Sequence, residues 1–251
     1  MTATPAPRSA PPLRGTGWGP YCLPYVGFMV LVQLGGWLSP ENALALLPLR
    51  LLVPLGLLLW FWRRGDYPEL RGWRPGGGVV ATDVLLGVAS CAIWVVPYLA
   101  IEALPRPEAK EGWNPVALGE AWKPWVLAVR FVSFSLVTPF MEELFIRSFL
   151  LRYLEVFDTR KDFRRVPYPR YSDRSFWGTV IAFTIHHPFW AWPVAFALGV
   201  IWTRWLYRRG HLGSIILVHA VTNACLFALV VAVSGPGPGL EGGRLDLWYF
   251  L

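Results

Sequence analysis

Apolar blocks, each about 15 to 20 residues long and separated by short clusters of Arg, Pro and Gly, run through almost the whole chain. A helix needs roughly 20 apolar residues to cross about 30 Å of hydrocarbon, so blocks of this length predict a chain that threads a bilayer repeatedly. Only 16% of the residues are charged and 55% are hydrophobic. A water-soluble domain carries roughly 25% charged residues, so this chain lacks the polar surface that water requires. No segment alternates polar and apolar residues over strand length, which excludes a β-barrel. The expected fold is therefore an all-α polytopic transmembrane bundle, with spans at 21–38, 43–62, 79–101, 124–146, 175–188, 191–207 and 212–233. There is no internal repeat and no loop long enough for a second domain.

Residues 1–20 are rich in Pro and Ala and lack apolar periodicity, so they read as a disordered basic tail. Residues 21–233 read as one transmembrane domain, with 234–251 as an extracytoplasmic tail. The first block has no small-residue cleavage site and is expected to be retained as an anchor. Cys22, Cys91 and Cys225 lie far apart inside apolar blocks and form no disulfide or zinc pattern. The net charge of +7 would suggest nucleic acid in a soluble protein, but here the basic residues sit between spans and set orientation instead. Arg8 and Arg14, Arg63 to Arg74, Arg147 to Arg174 and Arg204 to Arg209 share one side. Arg106, Lys110, Lys123 and Arg244 have the other. That asymmetry places the N-terminus in the cytoplasm and the C-terminus outside.

An ionisable group within a span costs about 2.5 to 3.5 kcal/mol on insertion scales, so each one is a functional candidate. The set is Arg50, Asp83, Arg130, Glu142, Glu143, His186, His187 and His219, with Asn223 as an uncharged companion. Arg50 and Arg130 can snorkel or pair with a neighbouring span, and Asp83 sits where a helix start favours negative charge. Glu143 and Arg147 are spaced i, i+4 with the acid first, the favourable order for an intrahelical ion pair. Glu142 points about 100° away, and the two acids read either as a solvated helix end or as an arrangement in which the pair holds the helix while Glu142 faces a cavity as a general base. His219 and Asn223 share a helix face, either as an interhelical clamp or as two donors aimed at an oxyanion. Pro188 disfavours helical geometry at His187, so the helix entering from Ser175 should kink or end there, near a cavity. Phe183 and His187 share a face, with His186 rotated off it.

At these residues the sequence resembles the CPBP family of intramembrane proteases, also called the ABI or type II CAAX endopeptidase family. Its three motifs are matched in order by Glu142, Glu143 and Arg147 in EELFIR, by Phe183 and His187 in FTIHH, and by His219 and Asn223 in HAVTN. The likeness spans about residues 124–233, and SFLLRYL and YSDRSF resemble an exosortase-associated subgroup. It implies an intramembrane endopeptidase in which Glu142 and His187 activate water while His219 and Asn223 steady the oxyanion. It implies either no cofactor or a zinc ion on Glu142, His187 and His219, and the metal-free arrangement leaves Asn223 the clearer job. The implied partner is a membrane-anchored protein or peptide substrate in the lipid bilayer of a bacterial inner membrane.

Two other readings fit the same polar residues. One is a catalytically silent immunity or binding protein of the same family, and the other is a proton-coupled transporter, which repeat symmetry would normally accompany. Counting from the basic loops, Glu142 and His219 lie about 8 to 11 Å deep at 1.5 Å per residue. On that count the cavity is expected to open on the cytoplasmic side.

Overall fold

Without water to satisfy its backbone, an apolar chain in lipid must pair its own N–H and C=O groups locally, and it does so as helices. The computed structural model describes residues 17–108, 111–240, 243 and 245–251. Most of the expected tail, with Arg8 and Arg14, lies outside the described residues, as do Lys110 and Arg244. The principal helices are α1 (Gly19–Gly36), α2 (Leu47–Arg64), α3 (Gly77–Ala100), α4 (Glu120–Tyr153), α5 (Asp173–His186), α6 (Trp192–Arg209) and α7 (Leu212–Val233). No strand occurs among the described residues. Four stretches are long and apolar enough to cross a membrane by themselves: Pro40–Arg64, which joins a short helical piece to α2, then α3, α4 and α7. The 14-residue α5 spans only about 21 Å, the shortening that Pro188 foretold.

Local chemistry sets the boundaries. Ser172 caps α5 by accepting from the Ser175 amide at 3.1 Å, and Ser175 Oγ accepts in return from the Ser172 amide at 3.3 Å. Gly65 and Gly210 stop α2 and α6 in the left-handed region, at φ values of 81° and 70°. Helix α4 is not uniform, because Ser133–Val137 and Glu143–Leu150 wind as π-helix. Such wide turns are rare and occur mostly at functional sites.

The bundle closes around α7. A Cβ on Gly87 of α3 would stand 2.6 Å from Val221 Cβ and 2.8 Å from the Val218 carbonyl, so only glycine lets α3 and α7 approach this closely. Thr222 Oγ1 donates across the contact to the Gly87 carbonyl at 3.1 Å. Trp202 of α6 lies against α7 and donates from Nε1 to Ser90 Oγ at 2.9 Å.

The loops gather on two faces. On the basic face the Tyr67 hydroxyl donates to the Pro20 carbonyl at 2.6 Å, and Arg174 pairs with Asp158 at 3.0 Å. Asp83 is held there too, but not by a helix start. It lies beyond the first turn of α3, fully buried, and accepts from Arg209 Nε and Trp205 Nε1, each at 2.9 Å. On the opposite face aromatic residues meet: Tyr98 donates to the Trp190 carbonyl at 2.6 Å, and the Trp113 amide donates to the Trp248 carbonyl at 3.1 Å. The 245–251 segment, expected as a simple tail, turns back into this face and buries Leu247, Trp248 and Phe250. Arg50 donates to the Leu31 carbonyl at 3.3 Å, whereas Arg130 finds its acceptor on this returning segment, at the Leu251 carbonyl.

Candidate active site

Glu142, Glu143 and Arg147 lie where α4 passes from α-helix into its second π-turn. All three are buried. The expected ion pair forms, with Arg147 donating to both Glu143 oxygens at 2.6 Å. The guanidinium also lies over the rings of Phe183, at 4.6 Å, and Trp202, at 5.3 Å. Arg147 Nε and Nη2 are buried without a hydrogen-bond partner, so the aromatic faces supply the compensation that a fully buried charge pair needs beyond its mutual contact.

Glu143 does more than hold the helix. Its Oε1 lies 2.8 Å from His219 Nδ1, so His219 donates from Nδ1 and turns Nε2 toward Glu142, whose Oε2 is 3.9 Å away. The two adjacent carboxylates thus flank one imidazole from another helix. The Trp202 ring, 4.8 Å from that of His219, packs beside it.

The helix break at His187 is observed. Helix α5 ends at His186, and His187 is extended at φ −86° and ψ 157°. Its Nδ1 donates to the Phe183 carbonyl at 2.8 Å, and its ring packs edge-on against Phe183 at 4.7 Å. That bond leaves Nε2 as an acceptor. The break also alters the expectation for His186: instead of turning away, its Nε2 donates to Glu142 Oε1 at 3.2 Å while Nδ1 accepts from the Tyr25 hydroxyl at 2.6 Å. Tyr25, on α1, stacks on Phe145 with ring centroids 4.1 Å apart. Sequence reasoning missed both Tyr25 and the role of His186. The adjacent histidines before Pro188 were the available signal, since a chain that leaves its helix there swings the two rings apart around whatever lies between them.

Glu142, His187, His219 and Asn223 line one cavity of about 230 Å³. Asn223 Nδ2 donates to the Phe134 carbonyl at 2.8 Å, within the first π-turn of α4, so one amide proton is committed and the second is left for the cavity. The cavity extends from Glu142 past Phe134, Trp94, Trp190 and Leu226, all farther from the basic face than Glu142 itself. This departs from the expected opening on the basic side. There the space is filled by the Glu143–Arg147 pair and by Glu69, whose Oε1 accepts from Arg152 at 3.1 Å and from Ser148 Oγ.

The residues do not fit the zinc site that the family resemblance allowed. Among the described residues no three His, Cys, Asp or Glu side chains are grouped to hold a metal ion. Glu142 Oε1 is already bonded to His186, which lies outside the expected ligand trio.

A family model described as type II CAAX prenyl endopeptidase Rce1-like matches residues 124–225. No curated protein and no solved structure matches the chain. The matched segment contains Glu142, Glu143, Arg147, His187, His219 and Asn223, and over it the chain is similar to the Rce1-like type II CAAX prenyl endopeptidases.

Proposed function

We propose that the chain hydrolyses a peptide bond of a membrane-associated protein, using water activated by Glu142 within the bilayer. The observation that carries this reading is a buried carboxylate set among imidazoles from two other helices, on the wall of a cavity. A polar contact of 3.9 Å, as between Glu142 and His219, is the kind of gap that a bridging water fills. Glu142 Oε2 takes one proton of that water while His219 Nε2, without a proton on this reading, accepts from the other, in place of the oxyanion role that the family resemblance gave His219, and His187 lines the same cavity wall. The oxygen attacks the scissile carbonyl, and the remaining Asn223 amide proton donates to the developing oxyanion. Glu142 then returns its proton to the leaving nitrogen. His186 and Tyr25 act through Glu142, holding its Oε1 in place so that Oε2 faces the cavity. Glu143 does the same for His219 by fixing its tautomer.

Membrane proteomics of cells carrying the wild type or Glu142→Gln provides the test. The expected result is a precursor that accumulates only with the variant, at equal levels of the two proteins. Full biological activity of Glu142→Gln with no precursor would instead support the silent binding or immunity relative.

A further inference from the structure

A peptide bond can be cut here only if an extended peptide reaches Glu142, and the cavity as it stands is too small for one. Ligand pockets run about 300 to 1,000 Å³, against about 230 Å³ here. The basic end is filled by buried ion pairs on α4 and the Glu69 turn. At the other end the wall is part of the chain itself: Tyr249, Phe250 and Leu251 line the cavity together with His187 and Asn223.

The way this segment is held is the way a foreign peptide would be held. Its main chain is gripped at two carbonyls, Trp248 by the Trp113 amide at 3.1 Å and Leu251 by the Arg130 guanidinium, while the Leu247 amide donates to Ser234 Oγ at 3.0 Å and the Trp248 indole to the Gly235 carbonyl at 3.2 Å. Its side chains sit in aromatic slots, with Phe250 edge-on to Tyr98 at 5.7 Å and to Trp190 at 5.8 Å. Beyond one 3₁₀ turn at Trp248–Phe250 it belongs to no helix of the bundle. Arg130 is kept in position by the rings of Trp113 and Phe134, at 5.5 and 5.4 Å, so its donor is organised against the returning segment.

We propose that residues 247–251 fill the substrate-peptide subsite of the cavity. On this account the site takes an apolar, aromatic-rich peptide segment arriving from the face opposite the basic loops, and Arg130 engages its main chain. The inference rests on the proteolytic reading of the same cavity, but exchange of the segment for a peptide needs no turnover and can be measured separately. Because the basic loops mark the cytoplasmic side, the substrate segment enters through the outer half of the membrane to reach Glu142.

The test uses the full chain in sealed vesicles, with Cys22, Cys91 and Cys225 replaced by Ala and Leu226→Cys as the reporter. Leu226 is buried on the cavity wall, so maleimide modification of the introduced thiol reports opening. With the native segment modification is slow. Trp248→Ala with Phe250→Ala should raise its rate at least tenfold, and an end-blocked Leu-Trp-Tyr-Phe-Leu peptide should restore protection where a Gly-Ser peptide of equal length does not. Adding Arg130→Gln should increase the peptide concentration needed at least fivefold. A membrane-impermeant maleimide should react from the face bearing Trp113.

An unchanged rate in the segment variant, a lack of protection by the peptide, or reaction from the face bearing Lys161 overturns the proposal. If the double variant elutes as aggregate, Arg130→Gln alone decides the question, because loss of that tether should also speed modification and an unchanged rate contradicts it. Repeating the assay on Glu142→Gln separates the two readings. Normal exchange without proteolysis in the wild type would sink only the enzyme, whereas proteolysis without exchange would sink only the subsite.

Discussion

The two faces of the bundle are closed by different physics. On the basic face the seal is ionic: Glu143 with Arg147 and Glu69 with Arg152 are almost wholly buried, and each charge is engaged by its partner and by neighbouring hydroxyls or aromatic rings. On the opposite face the seal is a short aromatic segment held by two main-chain carbonyls, by bonds from Leu247 and Trp248 to Ser234 and Gly235, and by ring contacts. Removing one partner of a buried charge pair costs about 3 to 5 kcal/mol, whereas the Arg130 hydrogen bond to a carbonyl contributes about 1.5 to 3 kcal/mol and a neutral one about 0.5 to 1.5 kcal/mol. The ionic face is the fixed floor of the site and the aromatic face is the part able to yield. A cavity with one rigid wall and one exchangeable wall can keep its catalytic groups in register while a peptide enters.

The largest effect should come from breaking the floor. Arg147→Ala strands Glu143 in a site from which water is excluded and removes the guanidinium from Phe183 and Trp202, at a cost of about 3 to 5 kcal/mol. Thermal unfolding in detergent should show a large drop in midpoint, or expression should collapse. Wild-type stability would mean that the basic face is not held by this pair.

Glu142→Gln should act on chemistry instead. Losing a general base lowers rates on the order of 10²- to 10⁴-fold, and the amide keeps the carboxylate's shape. Activity should fall by at least 10²-fold, roughly the lower end of that range, with a melting curve close to that of the wild type. Equal loss of activity and fold would place Glu142 with the floor rather than with the site.

Tyr25→Phe sharpens the boundary between the two walls. It removes the hydroxyl that His186 accepts, a loss of about 0.5 to 1.5 kcal/mol, while keeping the stack on Phe145. A several-fold decrease in activity is expected, with a stability loss no larger than that one hydrogen bond. No change would remove α1 from the site.

The smallest effect belongs to the loop between α4 and α5. Hydrogen bonds from Arg164 hold the Asp162 carboxyl below its usual range. A depressed carboxyl stabilises the fold above the unfolded value, near pH 4, and that contribution disappears as the pH falls through the folded value. Asp162→Asn should therefore lower the melting point slightly at pH 7, with the difference from wild type vanishing in acid. A difference that persists in acid would assign the effect to something other than the carboxylate.

Much of this was legible in the chain before its fold, for reasons that differ between residues. Long apolar runs locate helices because lipid offers no alternative, so the expected 212–233 span and helix Leu212–Val233 coincide. The Glu143 and Arg147 pair was readable because i, i+4 spacing is local. His186 and Tyr25 were not, because the face assigned to His186 assumed that the helix ran on to His187, and Tyr25 reaches the site from 161 residues away. The π-turn at Glu143–Leu150 leaves no mark in apolar periodicity, yet it begins at the second of two adjacent carboxylates that flank His219. The return of 245–251 was hidden for a related reason: seven residues are too few to show periodicity, and their burial depends on Trp113, Tyr98 and Trp190 in other loops and helices.

The central claim is that Glu142 directs water onto a peptide bond, and isotope incorporation tests it most directly. Purified wild type or Glu142→Gln is incubated in H₂¹⁸O with membranes from cells lacking the protein, and new peptide termini are identified by mass spectrometry. The account predicts a cleaved membrane protein whose new carboxyl terminus carries ¹⁸O with the wild type and is absent with Glu142→Gln. The same labelled terminus at equal yield from both proteins would contradict it.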